Sequence, residues 1–412
     1  MSDERRLLCA KGLRGFGDGF VSLLLPAYLL ALGWTPFQVG LVATATLLGS
    51  GLLTLAAGML GQRLGQRRLL LAATALMVAT GLAVASFSSF WPLMVVAFVG
   101  TLNTSGGDTS VFLPAEHALL AQNSEGKART AAFARYSLVG SLSAAAGALA
   151  AALPAFVSRH GGFELVSMLQ GMFLLYALLG AGVALVYAGL RTPAATAGTT
   201  PAAGLGPSRR RVYTLAALFS VDAFGGGFVV QSLMALWLYQ RFGLSLEAAA
   251  SIFFWTGVLT AFSYLVAARI ADRIGLVRTM VYTHLPSSLC LIAMPFCTEL
   301  AWAIALLLVR SALSQMDVPT RSSYVMAIVT PPERSAAASV TSVPRSLAAA
   351  SSPALAGYLL GLSPFGWPLV VGGALKIAYD LLLLATFRRV RPPEERPDPG
   401  RATGDSPRPS SG

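Results

Sequence analysis

The sequence predicts an all-α membrane protein of twelve transmembrane helices, arranged as two pseudo-symmetric six-helix bundles. Three observations carry that prediction. Hydrophobic residues make up 55 % of the 412 and charged residues only 12 %, against about 25 % charged in an average soluble domain. The mean hydropathy is +0.66. The apolar residues gather into runs of the ~20 that a helix needs to cross ~30 Å of hydrocarbon. Landmarks of the first half also return in the second at a constant spacing.

The same numbers exclude other classes. A soluble globule of this mix could not cover its surface with polar groups. Disorder is excluded by the hydrophobicity, collagen by the lack of a glycine period, and a disulfide scaffold by a count of three cysteines. Cys290 and Cys297 lie in an apolar run and read as small core residues. The net charge of +12 invites a nucleic-acid reading. However, the basic residues sit in short clusters between apolar runs, not on one face with interleaved aromatics, so no nucleic-acid partner is expected. The charged start, Met1 to Arg6, leads into an apolar run too long for a signal peptide and lacking a cleavage context.

Twelve spans follow in order: 13–33, 37–60, 69–89, 92–118, 131–155, 163–189, 212–238, 246–270, 279–298, 301–327, 337–361 and 366–388. Turn residues separate several of them, as in Gly33-Trp-Thr-Pro36, Ser88-Ser-Phe-Trp-Pro92 and Leu362-Ser-Pro-Phe-Gly-Trp-Pro368. Orientation follows from the loop arginines and lysines. With the N-terminus inside, inner segments hold Arg5, Arg6, Lys11, Arg63, Arg67, Arg68, Lys127, Arg129, Arg191, Arg209 to Arg211, Arg273, Arg278, Arg334 and Arg388 to Arg391, with Val390 between. The outer connections hold only Arg159 and Arg241. Both termini are therefore expected in the cytoplasm, with the chain in a plasma or inner membrane.

The organisation expected is a cytoplasmic N-terminus over 1–12, a first bundle over 13–190, a linker over 191–211, a second bundle over 212–389 and a disordered cytoplasmic tail over 390–412. The linker, RTPAATAGTTPAAGLGPSRRR, is rich in Pro, Ala, Gly and Thr, and the tail is polar and Pro-rich. A shift of 210 residues superimposes Gly33 on Gly243, Arg63 on Arg273, Gly65 on Gly275, Arg68 on Arg278, Arg135 on Arg345, Gly147 on Gly357 and Pro154 on Pro364. Two such halves around a midplane site form a transporter architecture.

The loop after the second span reads Gly58-Met-Leu-Gly-Gln62-Arg63-Leu-Gly65-Gln-Arg-Arg68, and the loop after the eighth reads Ala268-Arg-Ile-Ala-Asp272-Arg273-Ile-Gly275-Leu-Val-Arg278. Both resemble the signature loop of the major facilitator superfamily, Gly-x-Leu-x-Asp-Arg-x-Gly-x-Arg-Arg. With the twelve spans and the central basic loop, the resemblance extends over about 13–390. The resemblance implies that the loop acid favours one of two access states by pairing with nearby helix ends and arginines. Gln62 replaces that acid in the first copy; Asp272 keeps it in the second. The fifth span lacks the Gly-Pro pattern of drug antiporters, although Gly140 and Gly147 with SLSAAA between keep a close-packing face. Asp317-Val-Pro-Thr-Arg321, followed by Pro331-Pro-Glu-Arg334 and Arg345, resembles poorly characterised members and brings no substrate with it. The superfamily also implies that spans 1, 4, 7 and 10 line the cavity.

An ionisable group at mid-bilayer costs at least about 2.5–3.5 kcal/mol, so each is a functional candidate. Asp222 lies about ten residues into the seventh span, about 15 Å deep, and precedes Ala-Phe-Gly-Gly-Gly227. It is the first proton-coupling candidate, against a structural aspartate that caps a break or pairs with a neighbour. Arg310, at similar depth in the tenth span, is the first substrate or coupling cation, with Asp222 as its expected partner; a permanent salt bridge is the rival. Asp108 and Asp317, at near-equivalent repeat positions, are further gating or proton-coupling candidates and Arg321 a second substrate or cavity candidate; the rival is local salt-bridge structure, since Asp317 can neutralise Arg321 at i,i+4. Asp18, within Gly15-Phe-Gly-Asp-Gly19, is a further coupling candidate or a helix-end cap. Arg135 and Arg345 either snorkel or gate the inner side with Glu116, Asp108 or Asp317. Lys376 and Asp380 are expected to neutralise each other on the twelfth span.

His117, His160 and His284 are scattered and show no metal-ligand spacing. No GxxxxGK[ST] loop and no Ser/His/Asp arrangement are found, so neither a cofactor, ATP-driven transport nor an enzyme is expected. The function expected is secondary transport of a small organic solute by alternating access, as a monomer, with proton-coupled export first and proton-coupled uptake of an organic anion second. A membrane-embedded receptor or lipid-modifying enzyme is the reading from another class.

Overall fold

The computed structural model describes residues 2–105, 110–122, 126–190, 205–330 and 333–387; no strand occurs among them. The first half contains α1 (Asp3–Ala31), α2 (Pro36–Leu64), α3 (Gln66–Ser86), α4 (Phe90–Val99), α5 (Leu113–Gln122), α6 (Gly126–Ala150), α7 (Leu153–Gly161) and α8 (Leu165–Ala188). The second contains α9 (Arg209–Gly227), α10 (Gln231–Phe242), α11 (Leu246–Ile274), α12 (Leu276–Ala293), α13 (Leu300–Leu313), α14 (Asp317–Ile328), α15 (Arg334–Ser351), α16 (Pro353–Leu362) and α17 (Trp367–Phe387). The tail at 390–412, and the linker before residue 205, lie outside the described residues.

Among the described residues, seven stretches are long and apolar enough to cross a membrane: Pro36–Ala57, Gln66–Ser86, Ala132–Gly161, Leu165–Ala188, Arg209–Phe242, Leu246–Ala271 and Trp367–Phe387. Two of these run through paired helices, α6 with α7 and α9 with α10. The remaining expected spans are α1, α4 with α5, α12, α13 with α14, and α15 with α16. These are interrupted or carry polar residues. α1 starts at Asp3, earlier than its apolar run, because the Ser2 hydroxyl accepts from the Arg5 N–H and Asp3 and Glu4 sit in the first turn. Both features stabilise the positive end of a helix.

The repeat is a backbone repeat. Gly65 and Gly275, at equivalent turns between α2 and α3 and between α11 and α12, have φ of 80° and 89°. That region is open to glycine and strained for other residues.

Among the described residues five spans are interrupted inside the membrane: between Val99 and Leu113, at 151–152, at 228–230, at 314–316 and at Ser352. Irregular backbone at that depth is tolerated only inside protein or beside a cavity. The Ser232 N–H donates to the Thr104 carbonyl at 3.1 Å, so the break between Val99 and Leu113 meets the one at 228–230.

The face where α1 starts and α17 ends is the terminal face; its opposite is the distal face. The halves join at the distal face. Gly40 of α2 packs on Gly357 of α16, Phe37 on Tyr358, and the Ala354 N–H donates to the Thr44 hydroxyl at 3.0 Å. Tyr239 donates to the Leu23 carbonyl, and Arg159 pairs with Glu247 at 2.8 Å. Toward the terminal face, the ion pairs among the described residues stay within one half, as in Arg6–Asp3 and Arg135–Glu4.

Candidate functional site: two buried ion clusters

Each half holds one cluster of charges in its own interior. In the second half, four helices converge on Asp222, which is 3 % exposed. Its Oδ1 accepts from Lys376 Nζ of α17 at 2.8 Å, and its Oδ2 accepts from Arg321 of α14 at 3.3 Å. His284 Nε2 of α12 lies 3.7 Å from Oδ1. Arg321 turns its other amino group to Asp317, one helical turn away, and lays its guanidinium over the Phe219 ring at 5.4 Å. Asp380, fully buried, faces His284 Nδ1 with both oxygens, at 3.0 and 3.1 Å. The Tyr379 ring packs edge-on against the imidazole. Arg345 of α15 is half-buried and adds its field to Asp222 and Asp317.

In the first half, Arg14 of α1 pairs with Glu116 of α5, both buried. Tyr136 of α6 and Tyr187 of α8 donate their hydroxyls to the same carboxylate. Arg14 also donates to Ser110 at 3.3 Å and stacks on Phe112, while Lys11 lies over the Tyr136 ring. One turn further along α1, half-buried Asp18 lies 3.5 Å from the Asn103 amide nitrogen. Arg14, Asp18, Thr101, Asn103, Phe112 and Tyr176 line a small polar cavity at the break between α4 and α5. Charges taken out of water persist only where the geometry satisfies them. Here Asp222 and Glu116 each have partners from three other helices, so each cluster ties four helices together.

The structure rearranges several sequence expectations. Asp222, Asp317 and Arg321 come together, but Arg310 does not join them. It sits in the last turn of α13, where its carbonyl accepts from the Ser287 hydroxyl at 3.5 Å, and it makes no ion pair among the described residues. Arg321, eleven residues or about 16 Å further along the span, meets Asp222 instead. Lys376 and Asp380 do not neutralise each other: Lys376 reaches Asp222 and Asp380 reaches His284. Arg135 pairs with Glu4 at 2.6 Å near the surface, so it engages neither Glu116 nor Asp317. Asp108 lies outside the described residues, as do the surroundings of Gly58 and the side chains of Gln62, Arg63 and Asp272. Arg68 and Arg273 are exposed beside their turns. Sequence reasoning missed Arg14 and gave His284 no role. Both were available as ionisable groups within or beside apolar runs, but their partners lie 102 and 96 residues away in the chain.

A family model described as Major Facilitator Superfamily matches residues 7–316 and 216–411. The chain belongs to the major facilitator superfamily. Among curated relatives of this superfamily member is an uncharacterized membrane protein, YJR124C, of Saccharomyces cerevisiae; it is 24 % identical over 93 % of this chain and 94 % of its own length. Similar superfamily folds include the nucleoside transporter NupG (TM-score 0.72, 14 % identity, 94 % of this chain and 100 % of that one). Another is a bacterial homolog of the human lysosomal transporter Spinster in an inward-facing, occupied conformation (0.71, 17 %, 96 % and 98 %). A third is the human organic anion transporter MFSD10 (0.64, 18 %, 93 % and 100 %). At these identities the solved structures establish the superfamily fold and leave the substrate open. Membership points to a multi-pass membrane transporter of small molecules rather than an enzyme.

Proposed function

We propose that this protein is a proton-coupled transporter of a small organic solute, working by alternating access, with export as its direction. The observation that supports the coupling is Asp222: a carboxylate about 20 Å along α9, buried, and held by cations on two other helices. Such a group responds to a proton by changing which helices it holds together, and that is what coupling requires. The distal seam supports alternating access: with both termini cytoplasmic, as the arginine bias argues, this is a conformation closed to the outside.

Uptake of an organic anion is the second reading. Arg310 favours it, as a mid-depth guanidinium without an ion pair among the described residues. That MFSD10 is named an organic anion transporter agrees with it but carries no weight at 18 % identity.

The test is flux in liposomes with an internal pH dye, across a panel of uridine, benzoate and tetraphenylphosphonium. The expected result is a solute-dependent pH change that disappears in Asp222→Asn while solute exchange persists. Solute crossing with no pH change in the wild type would overturn the coupling.

A further inference from the structure

We infer that His284, clamped by Asp380, is the proton-binding site of the second half, and that its protonation exchanges the cation held by Asp222. This rests on the coupling reading above and assigns it an atom.

The argument begins with the two ring nitrogens. Nδ1 faces both oxygens of Asp380 at 3.0 and 3.1 Å. A carboxylate there fixes the tautomer in which Nδ1 carries the hydrogen and donates it. The neutral ring then presents a lone pair at Nε2, and Lys376 Nζ lies 3.5 Å from that atom. The same ammonium lies 2.8 Å from Asp222 Oδ1, and Nε2 itself is 3.7 Å from that oxygen. Lys376 and His284 therefore compete for one oxygen atom.

A neutral ring accepts from Lys376 and leaves it on Asp222. A proton on Nε2 removes the acceptor, repels the ammonium and places a new donor beside Oδ1. Lys376 is displaced, and the Asp222 partner changes from α17 to α12. Nothing is oxidised or reduced; one proton binds at Nε2 and one ion pair is exchanged for another.

The local charge balance favours a site that binds a proton reversibly. Three carboxylates, Asp222, Asp317 and Asp380, meet two basic side chains at contact distance, Arg321 and Lys376. A protonated His284 supplies a third charge, which takes the place on Asp222 that Lys376 gives up. From α17 the imidazole meets Lys376, Tyr379 and Asp380, and from α9 it meets Asp222. From α14, Arg321 and Asp317 act through Asp222, and Arg345 of α15 acts on the same carboxylates by its field. Arg310 of α13 lies further along α12, beside Cys290. On α11, Arg269 and Arg273 are exposed toward the terminal face. The imidazole is the group in this network that ordinarily changes charge between about pH 5 and 8.

The chain has three histidines, so the proton can be watched directly. Nuclear magnetic resonance of histidine-labelled protein would be recorded from pH 5 to 8, with His160→Gln and His117→Gln assigning the His284 ring by elimination. The expected result is a His284 resonance that converts reversibly from the Nδ1-protonated neutral form to the imidazolium. A ring that keeps one form across that range overturns the inference, whatever the flux assay shows. In liposomes, His284→Gln should lose the solute-driven pH change at least tenfold and keep solute exchange within twofold. Wild-type proton stoichiometry in that variant also overturns the inference. If the ring titrates but the wild type moves no protons with solute, the coupling reading fails and the proton site stands.

Discussion

At the scale of single residues, the first-half cluster is the more completely satisfied of the two. Glu116 receives Arg14 and two tyrosine hydroxyls, and none of these groups is open to water. Removing one member of a buried pair strands the other and costs about 3–5 kcal/mol. Glu116→Gln should therefore lower the melting temperature in detergent sharply, while the double variant Glu116→Leu with Arg14→Met should recover most of the loss. A single variant that melts like the wild type would mean the Arg14 charge is solvated by another route. The members of these clusters were individually visible in the sequence as ionisable residues in or near apolar runs. Their pairing was not. Spacing at i,i+4 paired Lys376 with Asp380, whereas tertiary packing gave each a partner on another helix. An i,i+4 contact is worth a few tenths of a kcal/mol, too little to compete with a buried carboxylate that would otherwise lack a cation.

At the scale of elements, helix existence was legible because the apolar runs match the hydrocarbon thickness. Helix interruptions were less so. Gly225-Gly-Gly227 marks the break after α9, whereas the break at 314–316 contains no glycine or proline and is signalled only by Pro319, three residues beyond it. Connections on the terminal face carry their own devices. Glu333, just before α15, accepts from the Thr330 hydroxyl at 2.7 Å and from the Gly206 N–H at 2.5 Å, and so ties the start of α9 to the α14–α15 turn. The Thr330 and Ser208 hydrogen bonds, with the Gly206 amide, hold its carboxyl down at about 2. A depressed carboxyl contributes stability that is complete above its unfolded value, near 4.3 or so, and that is lost as the pH falls toward about 2. Glu333→Gln should therefore melt below the wild type at pH 7, and the gap should narrow between about pH 4 and 2. Melting curves followed by tryptophan fluorescence would check this; a gap that stays constant over that range would assign the loss to packing rather than to charge.

At the scale of the whole molecule, the repeat places equivalent turns in both halves, and under the alternating-access cycle proposed above the distal seam decides which way the protein opens. Two kinds of contact close that seam, and their sizes differ. The Arg159–Glu247 pair is exposed, with side chains 66 % and 28 % accessible, and such pairs contribute about 0.2–1 kcal/mol. The Gly40–Gly357 crossing instead brings backbone to backbone. A Cβ on Gly40 would stand 2.5 Å from the Pro353 carbonyl oxygen and 2.9 Å from Gly357 Cα, with no flexible side chain to yield. Overpacking of this kind costs about 1–3 kcal/mol, and it acts only on the conformation in which the helices cross. Gly40→Val therefore destabilises the distally closed state relative to the distally open one, by a population factor of roughly 5–150. Thr44, whose hydroxyl accepts from the Ala354 N–H across the same seam, reports the change. In a background without the native cysteines, Thr44→Cys should react slowly with a membrane-impermeant maleimide applied at the distal face, and several-fold faster once Gly40→Val is added. Solute accumulation should slow in the same variant, because a transporter that cannot close one side spends less of its cycle open to the other. Equal labelling with and without the valine would mean that α2 and α16 accommodate the added carbons by sliding, and the close glycine crossing would then not be what holds the distal face shut.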